Sequence, residues 1–103
     1  MILYNITFNI EDDIIKDFLV WLKGKHIPDF LQTGLFMEHK LFKLISNHGD
    51  TPGTSTYALQ FYLKDLKTFL EYSDYQAPRL QNDLQDKFGG KVIAFRTLLE
   101  KIN

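Results

Sequence analysis

Residues 2–10, ILYNITFNI, alternate between two kinds of side chain along their whole length. In an extended strand this alternation places one set of side chains on each face. One face is apolar throughout: Ile2, Tyr4, Ile6, Phe8 and Ile10. The other face carries Leu3, Asn5, Thr7 and Asn9. The stretch therefore predicts a β-strand with one face in a core and a second face that is half polar.

Three more strand patterns and two helical patterns follow in the order β-α-β-β-α-β. The strands are predicted at 36–45, 55–63 and 91–99, and the helices at 13–25, with a break before Pro28 and a short piece to Gln32, and at 66–88. Gly34 and Gly89-Gly90 end the helical patterns, and Ala77-Pro78 predicts a kink or a new helix start. In the second helix Leu66, Phe69 and Leu70 are expected to face inward.

The segment 46–54, SNHGDTPGT, has the composition of a loop. It is long for a hairpin connection, so it is either a mobile flap or simply a long connection that the fold tolerates.

This order of elements predicts an α+β, ferredoxin-like fold in which residues 1–103 form one domain. Short connections between the two β-α-β halves imply an antiparallel sheet of strand order 4-1-3-2 with both helices on one side. The half-polar face of the sheet is then left without a helix.

Polar side chains of the central strands share that second face. They are Asn5, Thr7, Gln60 and Tyr62, and strand 4 is expected to add Arg96 together with Val92, Ala94 and Leu98. Strand 2 adds either the Glu38 set or the His39 set, since alternation alone does not choose. The face has too few charges for open solvent and too many polar groups for a dry core. We therefore expect it to pack against a second sheet around a small cavity.

The bulk composition excludes several function classes. Twelve basic and thirteen acidic residues give a net charge of −1, so no basic surface for nucleic acid is expected. The apolar stretches fall short of the ~20 residues that span a membrane. The chain has no cysteine, and His26, His39 and His48 lack the paired spacing of metal ligands, so no metal site is predicted. The N-terminus lacks a signal-peptide pattern, and a cytoplasmic location is expected.

Several segments together resemble the dimeric α/β-barrel superfamily. They are WLKGKHIPDF (residues 21–30), TGLF (33–36), Ala77-Pro78 and AFRTLLE (94–100). Within that superfamily the chain looks like a small, uncharacterised bacterial family. The resemblance implies homodimers whose sheets close into a shared barrel, with a pocket in each subunit. The superfamily includes cofactor-independent monooxygenases, muconolactone-type isomerases, haem-degrading enzymes and haem-containing chlorite dismutases.

A haem cofactor is not expected, although the haem-degrading branch has an asparagine on strand 1 that Asn5 matches. That branch also uses a histidine on helix 2 and a tryptophan on strand 3. Here no histidine lies between Leu66 and Phe88, and Trp21 is the only tryptophan. The resemblance also implies that close relatives often carry histidine where this chain has Gln76, which puts catalysis that depends on such a histidine in doubt. No cofactor of another kind is predicted.

Two sets of residues are candidates for chemistry. An imidazole ordinarily titrates near neutrality, so His26 is a candidate acid or base at a pocket mouth, or else it caps helix 1 and braces the turn before Pro28. Asn5, Thr7, Gln60, Tyr62 and Arg96 form a cluster suited to orienting a small acid or a carbonyl. Arg96 binds carboxylates through its planar fork, or else forms an ion pair with Glu38 between subunits.

The resulting hypothesis is a homodimer that binds a small hydrophobic or acidic metabolite in a pocket between sheet and helices. In its enzymatic version Arg96, Gln60 and Asn5 orient the ligand and His26 moves a proton, in a cofactor-independent monooxygenase- or isomerase-like reaction. The sequence does not decide whether the protein is an enzyme. The alternative is a non-catalytic structural or interaction module that forms a homodimer and whose cleft is filled by side chains.

Overall fold

The computed structural model describes residues 1–45 and 52–103. Its strands are β1 (Ile2–Glu11), β2 (Glu38–Lys43), β3 (Thr54–Leu63) and β4 (Val92–Glu100), and its helices are α1 (Ile15–Trp21), α2 (Ile27–Gln32), α3 (Leu66–Tyr75) and α4 (Ala77–Phe88). The strands pair antiparallel in the order β2-β3-β1-β4. This confirms the ferredoxin-like fold and the strand order predicted from the sequence.

The core lies between the sheet and the helices. The apolar set of β1 is buried there, and so are the alternate residues Tyr57, Leu59, Phe61 and Leu63 of β3. Phe18, Leu22 and Phe30 from the first helical segment and Tyr72, Leu80 and Leu84 from the second pack onto them. Aromatic rings fill much of this layer, and Phe30 stacks on Phe61 with ring centroids 4.5 Å apart.

The first helical segment does not break before Pro28, contrary to the prediction. Residues Leu22–His26 form a π-helical turn between α1 and α2, and Ile27 keeps helical angles (φ −61°, ψ −48°). Proline in a regular α-helix collides with the carbonyl four residues earlier. A π turn widens the backbone by one residue and so accommodates Pro28 without ending the helix. The segment stops at Gly34, whose φ of +75° suits glycine.

The second helical segment divides at Gln76, where α4 starts with Pro78 in its first turn, as expected. Asp65 caps α3 by accepting hydrogen bonds from the backbone N–H (2.9 Å) and the hydroxyl (2.7 Å) of Thr68. The prediction that Leu66 and Leu70 face inward is wrong, because both side chains are 51% exposed. Tyr72 takes the inner position instead.

Strand β2 is shorter than the predicted 36–45, since it begins at Glu38 and ends at Lys43. The predicted loop 46–54 falls mostly on residues 46–51, which lie outside the described residues. Its last residues, Pro52 and Gly53, form a turn, and Thr54 already belongs to β3.

Two truncations test which side chains lie on the inner face and which on the outer face of the helical layer. We expect Phe30→Ala to lower the free energy of unfolding by about 3–5 kcal/mol, because Phe30 is buried among Phe36, Phe61 and Tyr72. Leu70→Ala should cost less than about 1 kcal/mol, because its side chain is half exposed. Urea denaturation followed by circular dichroism measures both values, and equal losses would contradict this placement.

Candidate functional site

The sheet face opposite the helices carries no covering element in the described chain, and we call it the open face. Strand register brings one residue from each strand side by side in rows. The first row is Glu38, Tyr62, Leu3 and Leu99; the second is Lys40, Gln60, Asn5 and Thr97; the third is Phe42, Ala58, Thr7 and Phe95. The second row is polar across its whole width, and we call it the polar row.

Hydrogen bonds organise the polar row. The Gln60 Nε2 donates to Asn5 Oδ1 at 3.3 Å, and Asn5 Nδ2 donates to the Thr7 hydroxyl at 2.9 Å. Among the residues described, the Gln60 carbonyl oxygen has no hydrogen-bond partner. The row therefore presents an acceptor, amide hydrogens and hydroxyl groups to a molecule placed above the sheet.

A single charged side chain ends the polar row on β2. Lys40 Nζ lies 5.6 Å from the centre of the Tyr62 ring and 4.0 Å from Glu38 Oε1. Lys40 is exposed, so this ion pair is weak in solvent. If the face were covered, water would screen the charge of Lys40 less, and its electrostatic interactions would become stronger.

Apolar side chains flank the polar row and are largely exposed in the single chain. Phe95 is 62% exposed, Ile93 51% and Phe42 49%. Leu99 is also exposed, while Leu3 and Ala58 between the edges are half-buried. The open face is thus a polar strip inside an apolar frame, a pattern that soluble surfaces rarely leave uncovered.

The structure brings together four of the five residues predicted for this face. Asn5, Thr7, Gln60 and Tyr62 all lie on it, and the register of β2 adds Glu38 rather than His39. Sequence reasoning did not single out Lys40 and Thr97. The register shows both: Lys40 opposes Gln60 and Thr97 opposes Asn5.

Arg96 was predicted on the open face and is not there. It pairs with Ile6, so its side chain leaves the sheet on the helix side together with Val92, Ala94 and Leu98. Both alternating sets of β4 contain apolar residues, and a shift of one residue exchanges the two faces, which is why the pattern misled. Arg96 and Glu38 therefore point to opposite faces, which argues against the alternative of an ion pair across a shared barrel.

On the helix side Arg96 lies near two buried tyrosines. Tyr4 and Tyr72 pack with ring centroids 5.4 Å apart and are 3% and 1% exposed. Burial raises the pKa of both hydroxyls, and the Arg96 guanidinium opposes that rise. Sequence reasoning missed Tyr72 as a polar group, although its spacing of three from Phe69 marks the inner stripe of α3.

His26 is buried in the π turn. Its ring stacks on Trp21 with centroids 4.4 Å apart and an interplanar angle of 22°, and it meets the edge of Phe30 at 5.0 Å. Burial lowers its pKa to about 4, against the opposing effect of Asp29 and Asp83. Its Nδ1 atom is buried without a hydrogen-bond partner among the described residues. His26 is therefore a neutral ring inside an aromatic stack at neutral pH.

This placement separates His26 from the polar row. The histidine lies in the helical layer and the row lies beyond the sheet, so the two cannot act on one ligand atom. A capping role also finds no support, because no side-chain cap hydrogen bond is made at this position.

The expected pocket between sheet and helices is occupied by side chains of the aromatic core. Grooves lie on the surface instead. One of about 710 Å³ runs between α1 and α4, one of about 550 Å³ lies between residues 34–37 and α3, and one of about 430 Å³ lies between α4 and β4.

Neither a metal-binding cluster nor a membrane-spanning helix is present in the part of the chain that the structure describes. Within 1–45 and 52–103, no group of three or more His, Cys, Asp or Glu side chains is arranged to hold a metal ion. His48, one of the three histidines weighed from the sequence, lies outside these ranges. None of the described helices is both long and apolar enough to span a membrane.

The pKa of His26 makes stability depend on pH in a defined window. Between about pH 4 and 6.5 the unfolded chain binds the proton and the folded chain does not. The free energy of unfolding should therefore fall by about 3 kcal/mol as pH drops from 6.5 to 4, in addition to the effect of other groups. His26→Phe should remove this part of the slope in urea titrations at several pH values.

The matched control is His39→Gln, which removes an exposed histidine from β2. Its pH slope should equal that of the unmodified protein. An unchanged slope in His26→Phe would contradict the assignment of this titration to His26.

Solved structures similar to this chain share its fold at low identity. A dimeric ferredoxin-like protein from an uncultured marine organism matches with a TM-score of 0.72 at 10% identity, covering 99% of this chain and 96% of that one. An ethyl tert-butyl ether d (ethd) family protein from Bacillus halodurans matches with a TM-score of 0.69 at 13% identity, covering 99% and 100%. An antibiotic biosynthesis monooxygenase matches with a TM-score of 0.57 at 14% identity, covering 98% and 99%.

At these identities the similarity establishes the fold and leaves the chemistry open. No curated protein matches the sequence. The sequence does match one family model, described as "Domain of unknown function (DUF4286)", over residues 1–102. The chain belongs to this family.

Proposed function

We propose that the protein is a homodimer that binds a small, largely hydrophobic molecule bearing an oxygen function. Two copies pack their open faces together, and the polar row of each copy orients the ligand between the sheets. The observation that carries the proposal is the polar row framed by exposed apolar side chains. The frame supplies the contact between copies, and the row supplies hydrogen bonds to the ligand.

The open face suits a second copy in size and character. The four strands lie about 4.8 Å apart; three are about 30 Å long and β2 is about 20 Å long, so together they span about 550 Å² in projection. Side-chain relief adds to this, which approaches the ~800 Å² that each partner of a stable complex buries. Phe42, Ile93 and Phe95 supply apolar contact, and one similar structure is itself described as a dimeric ferredoxin-like protein.

A ligand accounts for the polar centre of this interface. Asn5 and Gln60 bond to each other, but the Gln60 carbonyl oxygen and further amide hydrogens remain unpaired within the described chain. Burying such groups against an apolar sheet without partners costs about 1–3 kcal/mol each. A ligand carbonyl or carboxylate between the sheets would pair with the amide hydrogens of the row and with Lys40.

Binding is better supported than catalysis. The middle of the polar row consists of amides and a hydroxyl, and these groups neither gain nor lose a proton at neutral pH. The charged groups, Lys40 and Glu38, lie at one edge. His26 and Arg96, the acid–base and anion-binding groups expected from the sequence, lie on the other side of the sheet. A cofactor-independent enzyme on the open face would therefore use Lys40, Glu38 or Tyr62 to move a proton.

The dimer can be tested at its apolar frame. The unmodified protein should have the mass of two 12.1 kDa chains in size-exclusion chromatography with light scattering. Phe95→Lys should give a folded monomer, because it places a charge in the apolar frame that the two copies would bury against each other. Tyr75→Lys changes a residue that is 77% exposed on α3 and should leave the dimer intact. A monomeric unmodified protein at micromolar concentration would overturn the proposal.

The ligand site can be tested in the dimer with Gln60→Leu. Native mass spectrometry of protein purified from its own host should show a dimer with a retained small molecule. Gln60→Leu keeps the volume of the side chain but removes its amide, and should weaken ligand binding at least about tenfold while the dimer persists. If no molecule is retained and Gln60→Leu strengthens the dimer, the protein is the non-catalytic module instead.

A further inference from the structure

The groove between α1 and α4 has an apolar wall that the folded chain leaves in contact with water. Its volume of about 710 Å³ lies within the ~300–1,000 Å³ of small-molecule sites. Val20 and Trp21 from α1 and Phe88 from α4 line it. Val20 is 68% exposed, and the two aromatic side chains are half-buried. The groove therefore offers apolar surface to a molecule that fits between the two helices.

Aromatic packing holds this wall in place. Trp21 meets Phe88 edge-on, with ring centroids 5.3 Å apart. The buried ring of Phe18 packs against both, at 6.2 Å from Trp21 and 5.4 Å from Phe88. Trp21 also stacks on the buried ring of His26. Side chains that are already ordered lose little freedom when a ligand binds, so the wall is preorganised.

Positive charges outnumber negative charges in the lining of the groove. The charged side chains that line it are Lys16, Lys87, Lys91 and Asp17. Lys91 pairs with Asp13, with 3.5 Å between Nζ and Oδ2. In the described part of the chain, no carboxylate lies within 4 Å of the ammonium group of Lys16 or Lys87. Two of the three lysines thus retain a charge that an anion can pair with.

The position of Lys16 is not explained by its own helix. Lys16 is the second residue of α1, where the helix dipole favours acids over bases. Lys87 differs, because it lies in the last turn of α4, where the dipole favours a cation. Lys16 therefore adds positive charge to the groove at a place where the helix gains no stability from it.

A neighbouring groove of about 370 Å³ shares Trp21 with the first but differs in charge. Its charged lining consists of two bases and two acids: Lys25, Lys87, Asp83 and Asp86. Lys25 also pairs with Asp83, at 3.6 Å. Of these two grooves, only the one of 710 Å³ has an excess of positive charge. An anion is therefore favoured on that side of Trp21.

We propose that the groove between α1 and α4 binds a small organic anion with an apolar body, of the class of medium-chain and aromatic carboxylic acids. The apolar body lies against Val20, Trp21 and Phe88. The carboxylate lies among the ammonium groups of the three lysines. The groove is concave and has the volume of a small-molecule site, which favours this occupant over a flat membrane surface.

This site is separate from the polar row. The groove lies on the helical side of the sheet, so it remains accessible when two open faces pack together. Failure of the dimer would leave this proposal standing, and failure of this site would leave the dimer standing.

The experiment uses the fluorescence of Trp21, which is the only tryptophan of the chain and lines the groove. The protein is titrated with octanoate, with octanamide as the neutral probe of equal length, and with acetate as the carboxylate without an apolar body. Octanoate should change the emission saturably with a Kd in the millimolar range. Octanamide should bind at least about tenfold more weakly, and acetate should cause no saturable change. Backbone amide shifts of ¹⁵N-labelled protein should locate octanoate between α1 and α4.

Variants of the charged residues test the assignment to this groove. Asp17→Asn removes the acid from the lining and should strengthen octanoate binding about twofold or more, a gain that an unfolded variant cannot give. The double variant Lys16→Gln and Lys87→Gln should weaken binding at least about fivefold. Lys67→Gln removes an exposed lysine from α3 and should leave the Kd unchanged.

Four results would overturn the proposal. They are no saturable change with octanoate, equal binding of octanamide, octanoate affinity that is unchanged in the folded double lysine variant, and unchanged or weaker binding in Asp17→Asn. Equal binding of acetate would show a general anion site and would overturn the assignment to an organic acid. Binding to vesicles of phosphatidylcholine and phosphatidylglycerol without binding of octanoate would assign the lysines to a membrane surface, which also overturns the proposal.

Discussion

The pairing of β1 with both β3 and β4 is the constraint on which the rest of the structure depends. Side chains alternate along β1, so that Tyr4, Ile6, Phe8 and Ile10 are buried in the core and Asn5 points toward the open face. A shift of one residue in this strand would bring amides into the aromatic core, where each unpaired group costs about 1–3 kcal/mol. The register is therefore strongly specified, and it also fixes which side chains of β3 share the polar row.

The fold was predictable from the sequence because β1 and β3 have one apolar face and one polar face, and because Asp65, Gly34 and Pro78 mark helix ends. The face of β4 was not predictable, since both of its faces contain apolar residues and no local signal orders them. Only pairing with β1 decides that Phe95 lies on the open face and Arg96 under the helices. Likewise, the periodicity of α3 is compatible with an inward-facing Leu70, but in the structure Tyr72 occupies the inner position and Leu70 is exposed.

The sheet divides the polar chemistry of the protein into two compartments. The polar row holds amides and hydroxyls that bond along the strand surface, while the helix side holds Arg96, Tyr4, Tyr72 and His26 among aromatic rings. A single ligand cannot contact both sets, because four hydrogen-bonded strands lie between them. A reaction in which the amides of the polar row and the imidazole of His26 act on one ligand is therefore excluded. Each side of the sheet has its own chemistry.

In the described part of the chain, His26 Nδ1 and the Tyr72 hydroxyl are buried on the helix side without a hydrogen-bond partner, and they differ in what surrounds them. His26 Nδ1 belongs to a ring stacked on Trp21, where the imidazole acts as a flat aromatic surface and no acceptor chemistry is required. Tyr72 packs its ring against Tyr4 with centroids 5.4 Å apart, and each hydroxyl affects the pKa of the other, so the two phenols interact inside the core. The packing of aromatic rings therefore holds both Tyr72 and His26 in the core, with their polar atoms turned toward other rings.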